Sequence, residues 1–116
     1  MRDWRLETKA ACVNLTVSLS KNLTLTGITV NTISPGAIVT PGVERLLSEI
    51  AKQHWGTTDW DKIEKSAVRE MFPNPTGRLG RVEEVANLAT FVASPLAGYI
   101  NGANLRVDGG LVPTVN

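Results

Sequence analysis

Apolar and polar positions alternate along the chain in patterns that predict four helices and two strands. Between Leu6 and Leu23, two apolar stripes recur at intervals of three or four residues. A helix that is apolar on two sides must be covered on two sides. The small residues at positions 10–12 would let a second helix approach closely, from this chain or from another subunit. Gly27 marks the expected exit of this helix.

A β-branched run beginning at Ile28 predicts a buried strand. The run breaks at Ser34-Pro35-Gly36 into a loop that is not expected to continue the sheet. In open α/β sheets, ligands bind outside the carboxyl ends of the strands. An ordinary strand-to-helix turn fits this stretch equally well. The residues that would otherwise face a ligand crevice are Pro35, Gly36, Ile38 and Thr40.

Two short helices are predicted after this loop. Apolar residues recur with helical spacing from Val43 to Ile50, and again from about Thr58 to Met71, where Thr58 or Asp59 is placed to cap the helix. Together they form an insertion over residues 41–75. We expect a lid or substrate loop here, with additional packing as the alternative.

The last part of the chain predicts a helix followed by a strand. Glu83 and Glu84 lie in the first helical turn, where their charge complements the helix dipole, and Ser94-Pro95 ends the helix. The expected buried stripe is Val85, Leu88, Ala89 and Val92. Alternation from residue 103 to 107 then predicts a strand that stops at 108–110. Strand, helix and strand make a βαβ unit, so the two strands should be parallel.

Composition and charge narrow the function classes. The chain has 116 residues, 42% of them hydrophobic and 20% charged, with a net charge of +1. Such a balance favours neither nucleic acid nor a membrane surface as a partner. No apolar run is long enough to cross a bilayer or to resemble a signal peptide, which predicts a cytoplasmic protein. A single cysteine and a single histidine predict no internal disulfide and no metal site.

Five blocks of sequence, in order along the chain, resemble the short-chain dehydrogenase/reductase family. The blocks are Thr8-Lys9-Ala10-Ala11, G-I-T-V-N-T-I-S-P-G at 27–36, G-R-L-G-R-V-E-E-V-A at 77–86, Tyr99-Ile100-Asn101-Gly102 and Val107-Asp108-Gly109-Gly110. Residues 1–116 correspond only to the C-terminal portion of such a domain. The resemblance implies a partial Rossmann-type, doubly wound fold. The expected architecture is a βαβ unit with two parallel strands, an N-terminal interface helix and the helical insertion.

The resemblance also implies a hydride-transfer enzyme that uses NAD or NADP with an alcohol or carbonyl substrate. Lys9 matches the lysine of the family's Tyr-x-x-x-Lys motif, which binds the ribose hydroxyls. By position, the loop at Pro35 and Gly36 would contact the nicotinamide. Backbone groups near Ile38 would hold its carboxamide, and the hydroxyl of Thr40 would donate a hydrogen bond.

The motif departs from the family at the position of its tyrosine, where this chain has Arg5. An arginine stays protonated in proteins, so it cannot exchange a proton with a substrate as a phenol can. The Gly-rich turn that cradles a pyrophosphate is also absent from the sequence. We therefore expect the chain alone to bind no cofactor and to be inactive.

Three functional interpretations remain open at this point. The chain is the C-terminal part of an oxidoreductase separated from the rest, a non-catalytic oligomerisation module derived from that family, or one piece of a nicked enzyme. In each case we predict self-association rather than a monomer. The expected contacts are the Leu6–Leu23 helix and the exposed strand edge at Ile28–Ile33. The missing N-terminal half is a further expected partner.

Overall fold

The computed structural model describes residues 4–114, except for the side chains of residues 4–6. Helices and strands are interspersed along the chain, as expected for an α/β protein. In chain order they are α1 (Trp4–Asn22), β1 (Thr32–Pro35), β2 (Ile38–Val39), α2 (Pro41–Ile50), α3 (Trp60–Glu70), β3 (Gly80–Arg81), α4 (Val82–Val92) and β4 (Asn104–Val107). A π-helical turn (Ala51–Trp55) follows α2, and a 3-10 turn (Pro95–Ala97) follows α4. Every predicted helix is present.

The strands form two parallel pairs. In the pair of β1 with β4, Thr32 N donates to Ala103 O at 2.8 Å and Gly36 N donates to Val107 O at 2.9 Å. Donor and acceptor advance together by four residues, so these two strands run parallel. The prediction of parallel strands in an α/β fold is confirmed. The parallel pair of β2 with β3 was not predicted; there, Ile38 lies opposite Gly80.

The bounds of β1 differ from the prediction at both ends. It begins at Thr32 rather than at Ile28. Before that point the pairing is mixed: Gly102 N donates to Val30 O at 2.8 Å, but Val30 N donates to the side-chain Oδ1 of Asn101 at 2.9 Å. It also runs through Pro35, which was predicted to break the sheet. Proline is tolerated here because the backbone position of residue 35 points away from β4 and needs no N–H.

The described residues fall into two compact units. Residues 4–34 and 87–105 form the first, and residues 35–86 and 106–114 form the second. In the first unit, Thr16 of α1 is buried, and its hydroxyl lies 2.6 Å from that of Thr32. The Thr16 hydroxyl donates to Cys12 O, so Thr32 supplies the proton of the bond between the two hydroxyls.

The apolar faces of α1 and α4 are less covered than predicted. On α1, 57% of Leu15 and 39% of Leu19 are exposed. No residue of α4 is fully buried, and Ala89 of its predicted stripe is exposed. The prediction that α4 buries this stripe is therefore wrong: Val85, Leu88 and Val92 are only half-buried. The exit of α1 is also earlier than Gly27: the helix ends at Asn22, and a turn leads to Gly27.

The core of the second unit is built mainly by residues 41–75. Its buried members are Leu47, Ala51, Ile63, Ala67, Val68 and Leu79, and the first five come from α2, the π turn and α3. Asp59 caps α3 by accepting from Asp61 N at 3.1 Å, as one of the two predicted caps. The segment expected to be an insertion thus supplies the packing of this unit. Its role as a substrate loop stays a prediction.

Candidate functional site

The loop that follows β1 leaves the strand at a point where only glycine fits. Gly36 N donates to Val107 O at 2.9 Å. A Cβ atom at this position would lie 2.7 Å from both Cα and Cβ of Asp108, closer than nonbonded carbon atoms approach. The close approach lets the chain turn away from β4 toward Ile38 while keeping this last hydrogen bond.

Ile38 is held by the second strand pair. Gly80 N donates to Ala37 O at 2.9 Å, and Ile38 lies opposite Gly80 in the parallel register. A Cβ atom on Gly80 would lie 2.5 Å from Cδ1 of Ile38. The absence of a side chain at residue 80 therefore makes the space that the Ile38 side chain occupies.

Thr40 ends the loop and begins α2. Its hydroxyl accepts a hydrogen bond from Val43 N at 3.2 Å, and its carbonyl accepts one from Glu44 N at 2.8 Å. Pro41 follows as the first helical residue, where its lack of an N–H is harmless. A hydroxyl that accepts one bond still has a proton to donate. Thr40 can therefore cap α2 and donate to a ligand at the same time.

Two ion pairs flank β3. Glu84 pairs with Arg78 at 2.6 Å and also accepts from Arg81 N at 2.8 Å. Hydrogen bonds from the Arg78 guanidinium and from that backbone N–H lower the pKa of Glu84 to about 2. Glu64 pairs with the Arg81 guanidinium at 2.9 Å. Burial raises the pKa of Glu64, but the hydrogen bonds from Arg81 and from Leu79 N outweigh it, so the net pKa is lowered.

A small cleft of about 100 Å³ lies beside Ile38 in the second unit. Polar groups on its walls include Asn74, Arg78, Glu84 and Asp108. The Asp108 carboxylate accepts from Val112 N at 3.1 Å and from Gly110 N at 3.0 Å, and these bonds lower its pKa. Asp108 thus forms the turn after β4, which confirms the predicted strand end at this point.

Residues 3–112 match the family described as enoyl-(acyl carrier protein) reductase. The chain belongs to the short-chain dehydrogenase/reductase family. It is 41% identical over 112 residues to the uncharacterized oxidoreductase YvaG of Bacillus subtilis, a match that covers 93% of this chain and 40% of YvaG. The chain therefore spans about 40% of the length of this curated relative.

Solved structures of the short-chain dehydrogenase/reductase family share the fold. The L-sorbose reductase of Gluconobacter frateurii, in complex with NADPH and L-sorbose, superposes with a TM-score of 0.79 at 33% identity, covering 93% of this chain and 40% of the reductase. A short-chain oxidoreductase of Pseudomonas aeruginosa PAO1, described as containing an atypical catalytic centre, gives a TM-score of 0.80 at 30% identity and covers 91% and 39%. The predicted family and the partial Rossmann-type fold are confirmed.

Among the positions that match the family's cofactor residues, four lie together in the second unit. Pro35 is exposed, and Gly36, Ile38 and Thr40 are half-buried. Lys9 is an exposed residue of α1 in the first unit. The side chain of Arg5, at the position of the family's tyrosine, lies outside the described residues. The assignment of these residues to catalysis or to cofactor binding stays a prediction.

Sequence reasoning missed the charged residues around β3. Glu84 was interpreted only as a favourable charge for the helix dipole. Its position three residues after Arg81 is a capping-box spacing and could have indicated the bond to Arg81 N. The pairing of Glu64 with Arg81 had no local signal, because 17 residues separate them.

Two further features concern metal binding and membrane insertion in the part of the chain that the structure describes. No group of three or more His, Cys, Asp or Glu side chains there could hold a metal ion. None of the described helices is both long and apolar enough to cross a bilayer.

Proposed function

We propose that the chain is the part of an NAD(P)H-dependent oxidoreductase that carries the nicotinamide-facing loop, and that further polypeptide completes the site. The observation that carries this proposal is the loop from Gly36 to Thr40, fixed between Val107 and β3. The relative L-sorbose reductase, which was solved with NADPH, supports it. Bound nicotinamide would supply the hydride that reduces a carbonyl to an alcohol.

The residues of this chain fit a nicotinamide cofactor on several counts. The Thr40 hydroxyl keeps a proton to donate, and the close packing of Gly36 against Asp108 fixes where the loop leaves β1. In this proposal Ile38 offers backbone groups to the carboxamide, and the ammonium group of Lys9 binds ribose hydroxyls. Residues 41–75 form the substrate side of the site. The choice between NAD and NADP is left to residues outside the chain.

Arg5 cannot replace the family's tyrosine as the proton donor of a catalytic centre. Its guanidinium cannot give a proton to a carbonyl oxygen and take it back. The relative from Pseudomonas aeruginosa is described as containing an atypical catalytic centre, which supports the idea that this fold tolerates departures from the usual one. We propose that the chain alone is inactive and works in the cytoplasm as part of an assembly.

The first unit offers a surface for the completing polypeptide. Because alternate backbone groups of a strand point to opposite sides, those of Asn31 and Ile33 point away from β4. No other strand pairs with β1 among residues 4–114. A groove of about 600 Å³ lies beside the same strand and is lined by Asn31, Ile33, Ala89 and Val92, among others. In this proposal, the completing polypeptide corresponds to the part of the longer relatives that this chain does not match. A strand of it would hydrogen-bond to the unpaired edge of β1 and fill the groove.

A second candidate function is a non-catalytic oligomerisation module. Leu15 and Leu19 of α1 favour it, because both are large apolar side chains with substantial exposure. The occupant proposed for this helix face is a second copy of the chain. Self-association alone, without cofactor binding in any assembly, would favour this candidate.

A reconstitution experiment tests the main proposal. The part of YvaG outside the match is mixed with the chain, sedimentation checks for a complex, and NADH and NADPH are titrated while nicotinamide fluorescence is followed. We expect no saturable binding by the chain alone and saturable binding by the complex. Lys9→Ala in the chain should weaken that binding, whereas Lys21→Ala, an exposed control on the same helix, should not. Lack of a complex contradicts the completion proposal, and a complex without binding contradicts the cofactor role.

A further inference from the structure

We infer that Glu84 and Glu64 are positioning residues: they hold β3 from both sides, and β3 in turn holds Ile38. The inference deepens the proposed function, on which its cofactor aspect rests, by naming what keeps the nicotinamide-facing loop in place. All residues involved belong to the second unit. Neither glutamate matches any residue that the family resemblance placed in the site.

Glu84 holds the end of β3 and the segment before it. Its Oε2 atom accepts from Arg81 N at 2.8 Å and from Arg78 Nη1 at 2.9 Å, and its Oε1 atom accepts from Arg78 Nη2 at 2.6 Å. The Arg78 guanidinium also donates to Leu79 O at 3.1 Å. Bidentate, charge-assisted bonds of this kind fix geometry as well as adding energy. One carboxylate therefore ties both ends of a four-residue segment together.

Glu64 holds the same segment from the side of α3. Both of its carboxylate oxygens accept from the Arg81 guanidinium, at 2.9 and 3.0 Å, and Oε1 also accepts from Leu79 N at 3.0 Å. Its side chain is only 12% exposed, so this pair is less screened by water than an ordinary surface ion pair. Leu79 itself is 1% exposed in the core.

The position of Ile38 depends on β3. The strand that contains Ile38 has two residues, and β3 is the strand with which it pairs among residues 4–114. Gly80 N donates to Ala37 O, and the backbone of residue 80 lies directly against the Ile38 side chain. A shift of β3 would therefore move the residue proposed to hold the nicotinamide carboxamide.

The two carboxylates make the loop rigid before any cofactor arrives. If a loop becomes ordered only when the ligand binds, the entropy lost in ordering it weakens binding. A loop that is already ordered does not carry this cost. In this chain the loop is ordered by Glu64 and Glu84, which lie 26 and 46 residues after Ile38 in the sequence. Loss of either carboxylate should loosen the loop without unfolding the core.

The first test uses NMR of the chain alone and needs no cofactor. The Ile38 Cδ1 methyl signal and the exchange rate of the Gly80 amide report on the loop, and the Ile63 methyl signal reports on the core. Glu84→Gln is compared with Glu83→Gln, which removes the same charge from the same helical turn, where Glu83 makes no ion pair with another described residue. Glu64→Gln is compared with Glu49→Gln, an exposed glutamate of α2.

We expect Glu84→Gln and Glu64→Gln to shift or broaden the Ile38 signal and to speed Gly80 exchange by roughly tenfold, the scale of losing one charge-assisted hydrogen bond. The Ile63 signal and both control variants should stay at wild-type values. Unchanged Ile38 and Gly80 signals would overturn the inference. So would equal changes at Ile38 and Ile63, because these would indicate only a general loss of stability.

A second measurement separates this inference from the proposed function. In the reconstituted complex, Glu84→Gln should weaken NADPH binding several-fold relative to Glu83→Gln. If Ile38 loosens but no variant binds cofactor, the positioning role of the glutamates stands and the proposed function is rejected. Cofactor binding that Glu84→Gln leaves unchanged, despite a loosened Ile38, would reject the positioning role.

Discussion

Gly36 and Asp108 pack so closely that a methyl group does not fit between them: a Cβ atom on Gly36 would lie 2.7 Å from the Asp108 Cα atom. This contact joins the end of β1 to the turn that follows β4. The backbone atoms of Asp108 cannot rotate away as a flexible side chain could. A methyl group here can therefore be accommodated only if the two segments separate.

We predict that Gly36→Ala lowers the free energy of unfolding by about 1–3 kcal/mol, the usual cost of overpacking. Gly42→Ala is the matched control, because a Cβ there would meet its nearest atom only at 3.9 Å and alanine favours the helix. Urea unfolding followed by circular dichroism measures both. Equal effects of the two variants would show that the close contact at Gly36 has no energetic consequence.

Leu47 and Leu46 are neighbours on α2 with opposite environments. Leu47 is 1% exposed and Leu46 is 57% exposed. Leu47→Ala should cost about 2–5 kcal/mol of unfolding free energy because it removes buried atoms and leaves a cavity. Leu46→Ala should change it by less than about 0.5 kcal/mol. Urea unfolding of the two variants measures both changes. A similar loss of unfolding free energy in both would mean that residues 41–75 do not form the core described above.

Acid should destabilise the second unit through its carboxylates. The folded-state pKa of Glu84 is about 2, below the usual 4.5, and those of Glu64 and Asp108 are also lowered. A lowered pKa means that the stability contributed by the charged form is present above the unfolded-state pKa and is lost as the pH falls through the folded-state pKa. We therefore expect the melting temperature to fall between about pH 5 and pH 2.

The part of this acid effect due to Glu84 can be isolated. Glu84→Gln should show a shallower fall in melting temperature over that range, because the amide does not titrate. Glu83→Gln should follow the wild-type curve. Parallel curves for wild type and Glu84→Gln would be inconsistent with the pairing of Glu84 and Arg78.

Self-association should depend on the exposed apolar face of α1. Leu15→Lys places a charge on that face and should shift the sedimentation coefficient toward that of a monomer. Leu96→Lys alters a residue that is 85% exposed outside α1, and should leave the coefficient unchanged. A wild-type chain that sediments as a compact monomer at micromolar concentration would refute the predicted self-association altogether.

Helical periodicity predicted the fold well where it coincided with good caps. The apolar spacing before Ile50 and after Asp59 predicted α2 and α3 within a few residues, because each helix has a polar cap and one buried face. The same reasoning failed for α4. Periodicity identifies a face that needs cover, but it cannot tell whether the described chain contains the element that covers it.

The contacts around Ile38 were beyond the reach of local sequence patterns. A strand of two residues is too short for alternation to indicate, and its partner Gly80 lies 42 positions later. Glu64 and Arg81 likewise meet only through tertiary packing. By contrast, the break at residues 34–36 follows a β-branched run, and this local pattern located the strand end to within two residues.

Residue-specific NMR of the isotope-labelled chain tests the central claim most directly. The labelled chain is mixed with the part of YvaG that lies outside the sequence match. The complex is then titrated with NADPH, and the amide signals of the labelled chain are followed. The account predicts that the signals of Gly36, Ile38 and Thr40 shift in the complex and do not shift when the chain is alone. Shifts confined to other regions, or none in a complex that binds NADPH, would contradict the placement of the nicotinamide at this loop.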